Sequence, residues 1–174
     1  MPRVDLDENF RKIDALIAEI NALVPADGRY EGVQLRADLA GLLVVAMAAT
    51  YETCVKEVMC AHASVRHDAF GQFAQRNYVK LNSRINIHDL KKYCGLFSPI
   101  MERSFKDELT SKRKKISDRT GKNIETAYEH ILAWRHDFAH AWNRNTTIEE
   151  AARTHRLAKR VLYAFDRVFS AMDV

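Results

Sequence analysis

Apolar side chains recur at three- and four-residue intervals through most of the chain. Leu6, Phe10, Ile13, Ile17, Ile20 and Val24 fall on one face, the spacing of an amphipathic helix over about residues 4–24. Pro25 to Gly32 is a turn-rich link. A long second helix is predicted over about 33–66. Its middle, Leu39 to Ala49, is apolar on almost every side, which marks it as the most buried helix of the fold. Glu52 and Lys56 interrupt it at i, i+4 and are placed to pair. The stretch 67–105 is less regular. It predicts one short helix within His67–Lys80 and another from Asn86 to about Gly95, and Ser98-Pro99 reads as a helix start. Thr110–Lys122 is polar and basic and reads as a mobile loop or a frayed helix. A penultimate helix is expected over about 123–142. The last, about 147–172, opens with Thr147 and Glu150 in capping-box spacing and carries Leu157, Val161, Phe165, Val168 and Met172 on its apolar face.

No segment shows sustained strand alternation. With 3 Pro and 6 Gly in 174 residues, a turn-rich β-sandwich is disfavoured. The expected fold is all-α, a bundle of four to five main helices forming a single domain over residues 1–174. The charged N-terminal segment has no secretory character. Leu39–Ala49 falls short of the roughly 20 residues of a membrane span. Three cysteines, Cys54, Cys60 and Cys94, with no CxxC, read as reduced, mostly buried thiols. The expectation is therefore a cytoplasmic protein with no membrane partner.

Charge changes the picture locally. The total is +4. Arg103–Lys122 holds eight basic and three acidic residues, net +5, so the rest of the chain is at −1. Lys112, Arg113, Lys114 and Lys115 form its densest run. On the last helix Arg153, Arg156, Arg160 and Arg167 share a sector of about 60°, opposite the apolar face. Both features suit phosphate contacts and counterion release, and both also suit a solvated helix face.

The candidate chemistry lies in Trp134-Arg135-His136-Asp137-Phe138-Ala139-His140-Ala141-Trp142-Asn143. One reading is a metal site, because His136 and His140 have the spacing of H-E-x-x-H. Asp137 is shorter than the Glu of that motif, however, and no third ligand follows at suitable spacing. A second is a metal-dependent phosphohydrolase built on His136-Asp137. Its further ligands would come from His88, His130 or Asp166, which are loosely placed. A third takes Arg135 and His140 as R-x-x-x-x-H. A purely structural reading pairs Arg135 with Asp137 or Glu52 and buries His140.

The third pattern, at the end of an all-helical domain, resembles the HEPN superfamily of helical ribonucleases and RNA-binding modules. Tyr51-Glu52-Thr53-Cys54-Val55-Lys56 also resembles the early-helix segment of the RiboL-PSP and MAE-type groups, and a long amphipathic last helix follows the motif. The likeness spans about residues 10–172. It implies a HEPN-like helical bundle and a metal-independent endoribonuclease, with no cofactor, that acts on RNA as a toxin or antiviral effector. It further implies a homodimer with both motifs at one interface, and an antitoxin or effector partner. Arg135, His140, His136 and Asp137 then form the catalytic set, with Glu52 and Asn143 in support. On their charge, Lys112, Arg113, Lys114, Lys115, Arg153, Arg156 and Arg160 are the residues expected to contact that RNA. Some toxin members carry Tyr two residues beyond the His. Trp142 stands there in this chain. The superfamily also includes modules that only bind RNA or protein. On one straight helix Arg135 and His140 diverge by about 140°, so either the helix breaks near the motif or two protomers share the work. Trp134, Phe138 and Trp142 recur every four residues, which reads as core or dimer contact rather than base stacking.

Overall fold

The structure, a computed structural model, describes residues 5–26, 30–78 and 85–171. Part of the Pro25–Gly32 link, and Met172 of the last helix, lie outside them. Among the described residues there are seven helices and no strand: α1 (Leu6–Leu23), α2 (Tyr30–Arg66), α3 (Asp68–Tyr78), α4 (Ile87–Phe97), α5 (Pro99–Thr120), α6 (Ile124–Ala141) and α7 (Ile148–Ala171). The count exceeds the expected four to five main helices because the irregular stretch folds into two 11-residue helices, α3 and α4. The other five run 18 residues or more.

α2 is the hub. It packs against α1, α3, α6 and α7, as its apolar middle predicts. Leu43, Val44, Met47, Tyr51, Val55 and Met59 are fully buried along it. Within α2, Gly32–Arg66 is long and apolar enough to cross a membrane by length and composition, a property that Leu39–Ala49 alone does not reveal. α7 contributes Val161, Leu162, Phe165 and Phe169 to the same core, and Phe165 meets Phe105 of α5 edge-on at 5.8 Å.

Thr110–Lys122 is not a loop. α5 continues to Thr120 and stops at Gly121, which takes the left-handed conformation (φ 67°) and donates its N–H to the Ser117 carbonyl at 2.7 Å. Tertiary contacts override the weak local signal. Leu109 is buried, and Ile116 packs against the core. Lys112 pairs with Glu108 one turn back at 3.5 Å, and Arg113 reaches Glu125 of α6 at 3.0 Å. The expected caps form: the Ser98 hydroxyl accepts from Ile100 N–H at 3.1 Å, and the Thr147 hydroxyl from Glu150 N–H at 3.2 Å. The three thiols are free, with Cys54 and Cys94 buried. Burial pushes both up to about 12, so they stay protonated and inert.

Candidate functional site

α6 presents the motif. The Asn123 side chain caps its start, accepting from Glu125 and Thr126 N–H at 2.9 and 3.4 Å. Ile124, Ala127, Tyr128, Ile131 and Phe138 are its buried face. Phe138 packs on Gly41 of α2 so closely that a Cβ there would overlap the ring. This contact fixes the roll of α6 and, with it, the direction in which every motif side chain points.

The helix does not break between Arg135 and His140. It stays regular to Ala141 and ends at Trp142, which adopts a left-handed conformation (φ 54°, ψ 28°). The Trp142 N–H closes on the Phe138 carbonyl at 3.0 Å and the Asn143 N–H on the Asp137 carbonyl at 3.3 Å. A non-glycine residue in this region costs about 1 kcal/mol or more. Two contacts hold Trp142 there. Its indole lies 4.5 Å from the Phe138 ring, and its side chain comes close enough to Asp38 of α2 to help lower that carboxyl's pKa.

The consequence for the motif is a division of sides. Arg135 is half-buried, on the side of α6 that carries Phe138. His136 and His140 are both exposed, one turn apart, with ring centroids 4.5 Å from each other. His140 is therefore not the buried imidazole of the structural alternative. Asp137 is half-buried and accepts from Asn145 Nδ2 at 2.7 Å, a contact that ties the α6–α7 turn to the motif. Asn143 is exposed in the same turn. Glu52 is half-buried and pairs with Lys56 at 2.6 Å, as its spacing predicts.

Sequence reasoning missed Asp38 and Arg144. The Arg144 guanidinium, four residues past His140, meets Asp38 at 2.6 Å. Hydrogen bonding to Arg144 holds the Asp38 carboxyl below its usual range. Because 106 residues separate the two, no local spacing announces the pair.

Of the predicted RNA-contacting residues, Arg113 lies far from His140. Arg113 pairs with Glu125 in the first turn of α6. His140 lies 15 residues further along that helix, about 22 Å at 1.5 Å per residue. Lys114 and Lys115 are exposed, and Lys112 is half-buried. Arg153, Arg156 and Arg160 are exposed along α7. Among the described residues no set of three His, Cys, Asp or Glu side chains converges as metal ligands. His130 sits beside Trp134, and Asp166 is buried on α7.

An all-helical bundle with an arginine–histidine motif at the end of its penultimate helix, followed by a long last helix, defines the HEPN class. The family model described as RiboL-PSP-HEPN matches residues 5–171, and the chain belongs to that family. Neither the curated proteins nor the solved structures gave a match.

Proposed function

We propose that this chain is a metal-independent endoribonuclease working in the cytoplasm as a toxin or antiviral effector. The observation that carries the reading is the motif itself: Arg135 and His140 sit in the last turns of α6, with His140 and His136 open to solvent. RNA brings its own nucleophile. The 2′-oxygen attacks the adjacent phosphorus while a base takes its proton. The P–O5′ bond breaks as an acid protonates the leaving 5′-oxygen, and the products are a 2′,3′-cyclic phosphate and a 5′-hydroxyl. Imidazole suits both proton transfers. A guanidinium fork suits the extra negative charge of the phosphorane. His140 takes the principal proton-transfer role, His136 assists it, and Asp137 orients the turn.

One unbroken helix holds Arg135 and His140 about 140° apart, and this favours the dimer reading. A two-fold axis beside the motif would bring two Arg–His pairs around one phosphate. An exposed apolar stripe supports that placement. Trp142 is 56% exposed, and Leu35 and Leu42 of α2 are 49% and 51% exposed. Leu35 and Leu42 lie on either side of Asp38, the residue that Trp142 touches. Aromatic and aliphatic anchors of this kind favour the centre of an interface. An antitoxin or other effector partner would act on the same face.

The test is RNA incubated with the protein plus chelator, followed by end-group analysis. Cleavage to 2′,3′-cyclic phosphate is expected. Binding without cleavage would assign a non-catalytic RNA- or protein-binding module instead. Activity lost to the chelator would revive a phosphohydrolase built on His136-Asp137, a reading disfavoured because no third ligand converges among the described residues.

A further inference from the structure

Away from the motif, α5 and α7 enclose a groove of about 470 Å³ lined by Lys112, Lys159, Arg160, Tyr163, Asp166 and Arg167. Four cations thus face one concavity. Glu108 offsets them in part, but this one carboxylate is shared by Lys112 at 3.5 Å and Arg167 at 3.3 Å. Counting it with Asp166 and with Asp7 at the rim, the assembly keeps one positive charge in excess. Asp166 is only 6% exposed and takes the Ser170 hydroxyl at 3.4 Å, so it sits in the floor rather than at the mouth. The Tyr163 hydroxyl donates to Asp7 of α1, which fixes the rim. Lys159 rests over the Phe10 ring at 5.6 Å, so its stem is held in place. Burial lowers the Lys112 pKa against the pull of Glu108, and Arg167 and Arg160 add to the lowering. Like charges gathered at a partly desolvated site raise the energy of the empty groove, and an anion relieves it.

We propose that the groove between α5 and α7 binds the phosphates of a nucleotide or RNA chain through Lys112, Lys159, Arg160 and Arg167, at a distance from the Arg135–His140 motif. It is roughly the right size for phosphate groups with part of a nucleoside. Tyr163 lies 15 residues along α7 from Ile148, where the chain leaves the motif's turn, about 22 Å by helical rise. One phosphodiester cannot touch both places, so the groove contributes affinity and register, not chemistry. Where the bound phosphates belong to RNA, the inference rests on the ribonuclease reading. It also separates the basic residues that the sequence grouped together. Lys112 and Arg160 line the groove with Lys159 and Arg167, Arg113 is bound to Glu125, and Lys114 and Lys115 lie outside.

The experiment uses three probes: pyrophosphate, adenosine 5′-monophosphate, and a single-stranded 2′-O-methyl oligoribonucleotide, which cannot be cleaved and so reports binding whether or not the protein is a nuclease. Affinities are compared for wild type, K159Q/R160Q and a charge-matched control, R76Q/K92Q. For the oligomer, K159Q/R160Q should bind at least tenfold more weakly. Its slope of log affinity against log salt should flatten by roughly 0.7 per lost phosphate contact, with the control unchanged. Displacement of the oligomer by pyrophosphate or the mononucleotide would assign the groove to a compact phosphate ligand, and failure to displace it would assign the running backbone. Both results uphold the site. Pyrophosphate binding that needs Lys159 and Arg160, without oligomer binding, would uphold the groove while removing the RNA reading. Equal losses in both variants, unchanged binding in K159Q/R160Q, or no binding of any probe would overturn the proposal. The motif would then still be judged by its cleavage products.

Discussion

His136 and His140 stand one turn apart on α6, with ring centroids 4.5 Å from each other and both rings open to solvent. Arg135, adjacent to the first of them, turns toward the buried side that Phe138 defines. The motif therefore comprises an exposed imidazole pair and a half-buried guanidinium. Substitution should separate the two. His140→Ala and Arg135→Ala should each lower kcat/KM by about 10²–10⁴. His136→Ala should cost about tenfold, since a neighbouring imidazole remains. Single-turnover cleavage, with circular dichroism to confirm folding, reads the outcome. Undiminished activity in either of the first two variants would remove that residue from the mechanism.

Gly41→Ala tests how the motif is aimed. The added Cβ would collide with the Phe138 ring, and overpacking of this kind costs about 1–3 kcal/mol. Alanine's better helix propensity returns about 1 kcal/mol. A small net loss in a urea melt is expected, together with a larger loss of cleavage, because α6 must roll or shift to make room. A variant as active as wild type would show that the α2–α6 contact does not position the motif.

The dimer is tested at Trp142 and Leu42. Replacing both with polar residues, Trp142→Ser and Leu42→Gln, should shift the sedimentation boundary to that of a monomer and abolish cleavage. Helical content should be retained, since both side chains are about half exposed. Mixing Arg135→Ala protomers with wild type should give dominant loss or an intermediate rate. A wild-type monomer that cleaves RNA at working concentration would refute the shared site.

Acid should destabilise the fold through His155. This ring is fully buried and shares a 2.8 Å hydrogen bond with the Tyr51 hydroxyl, while its Nε2 has no partner. Burial lowers its pKa to about 4, and Lys159 and Arg156 add to the effect. The folded state thus binds the proton more weakly than the unfolded chain does. The stabilisation is fully present above pH 6.5, declines as pH falls, and is lost below about 4, an effect of about 3 kcal/mol. The urea midpoint should fall accordingly from pH 7 to 4, and His155→Gln should flatten that fall. An identical pH slope in the variant would place the acid sensitivity elsewhere.

Much of the architecture follows from local patterns. The boundaries of α1, α6 and α7 and the central place of α2 come from periodic apolar faces and capping residues, because the signal and the structure both lie within a few turns. The motif was likewise visible as residue types at fixed spacing. Three things were decided only by tertiary structure. Thr110–Lys122 is helical because Ile116 packs on the core and Arg113 reaches Glu125, and neither contact is written in the segment's polar composition. The direction of Arg135 depends on Phe138 seating against a glycine nearly a hundred residues earlier. Asp38 joins the motif's end through Trp142 and Arg144, and Lys112 meets Arg160 and Arg167 in one groove. Local sequence sets which face of a helix is apolar. Which charged groups then meet depends on how those faces dock, and docking is a property of the whole core.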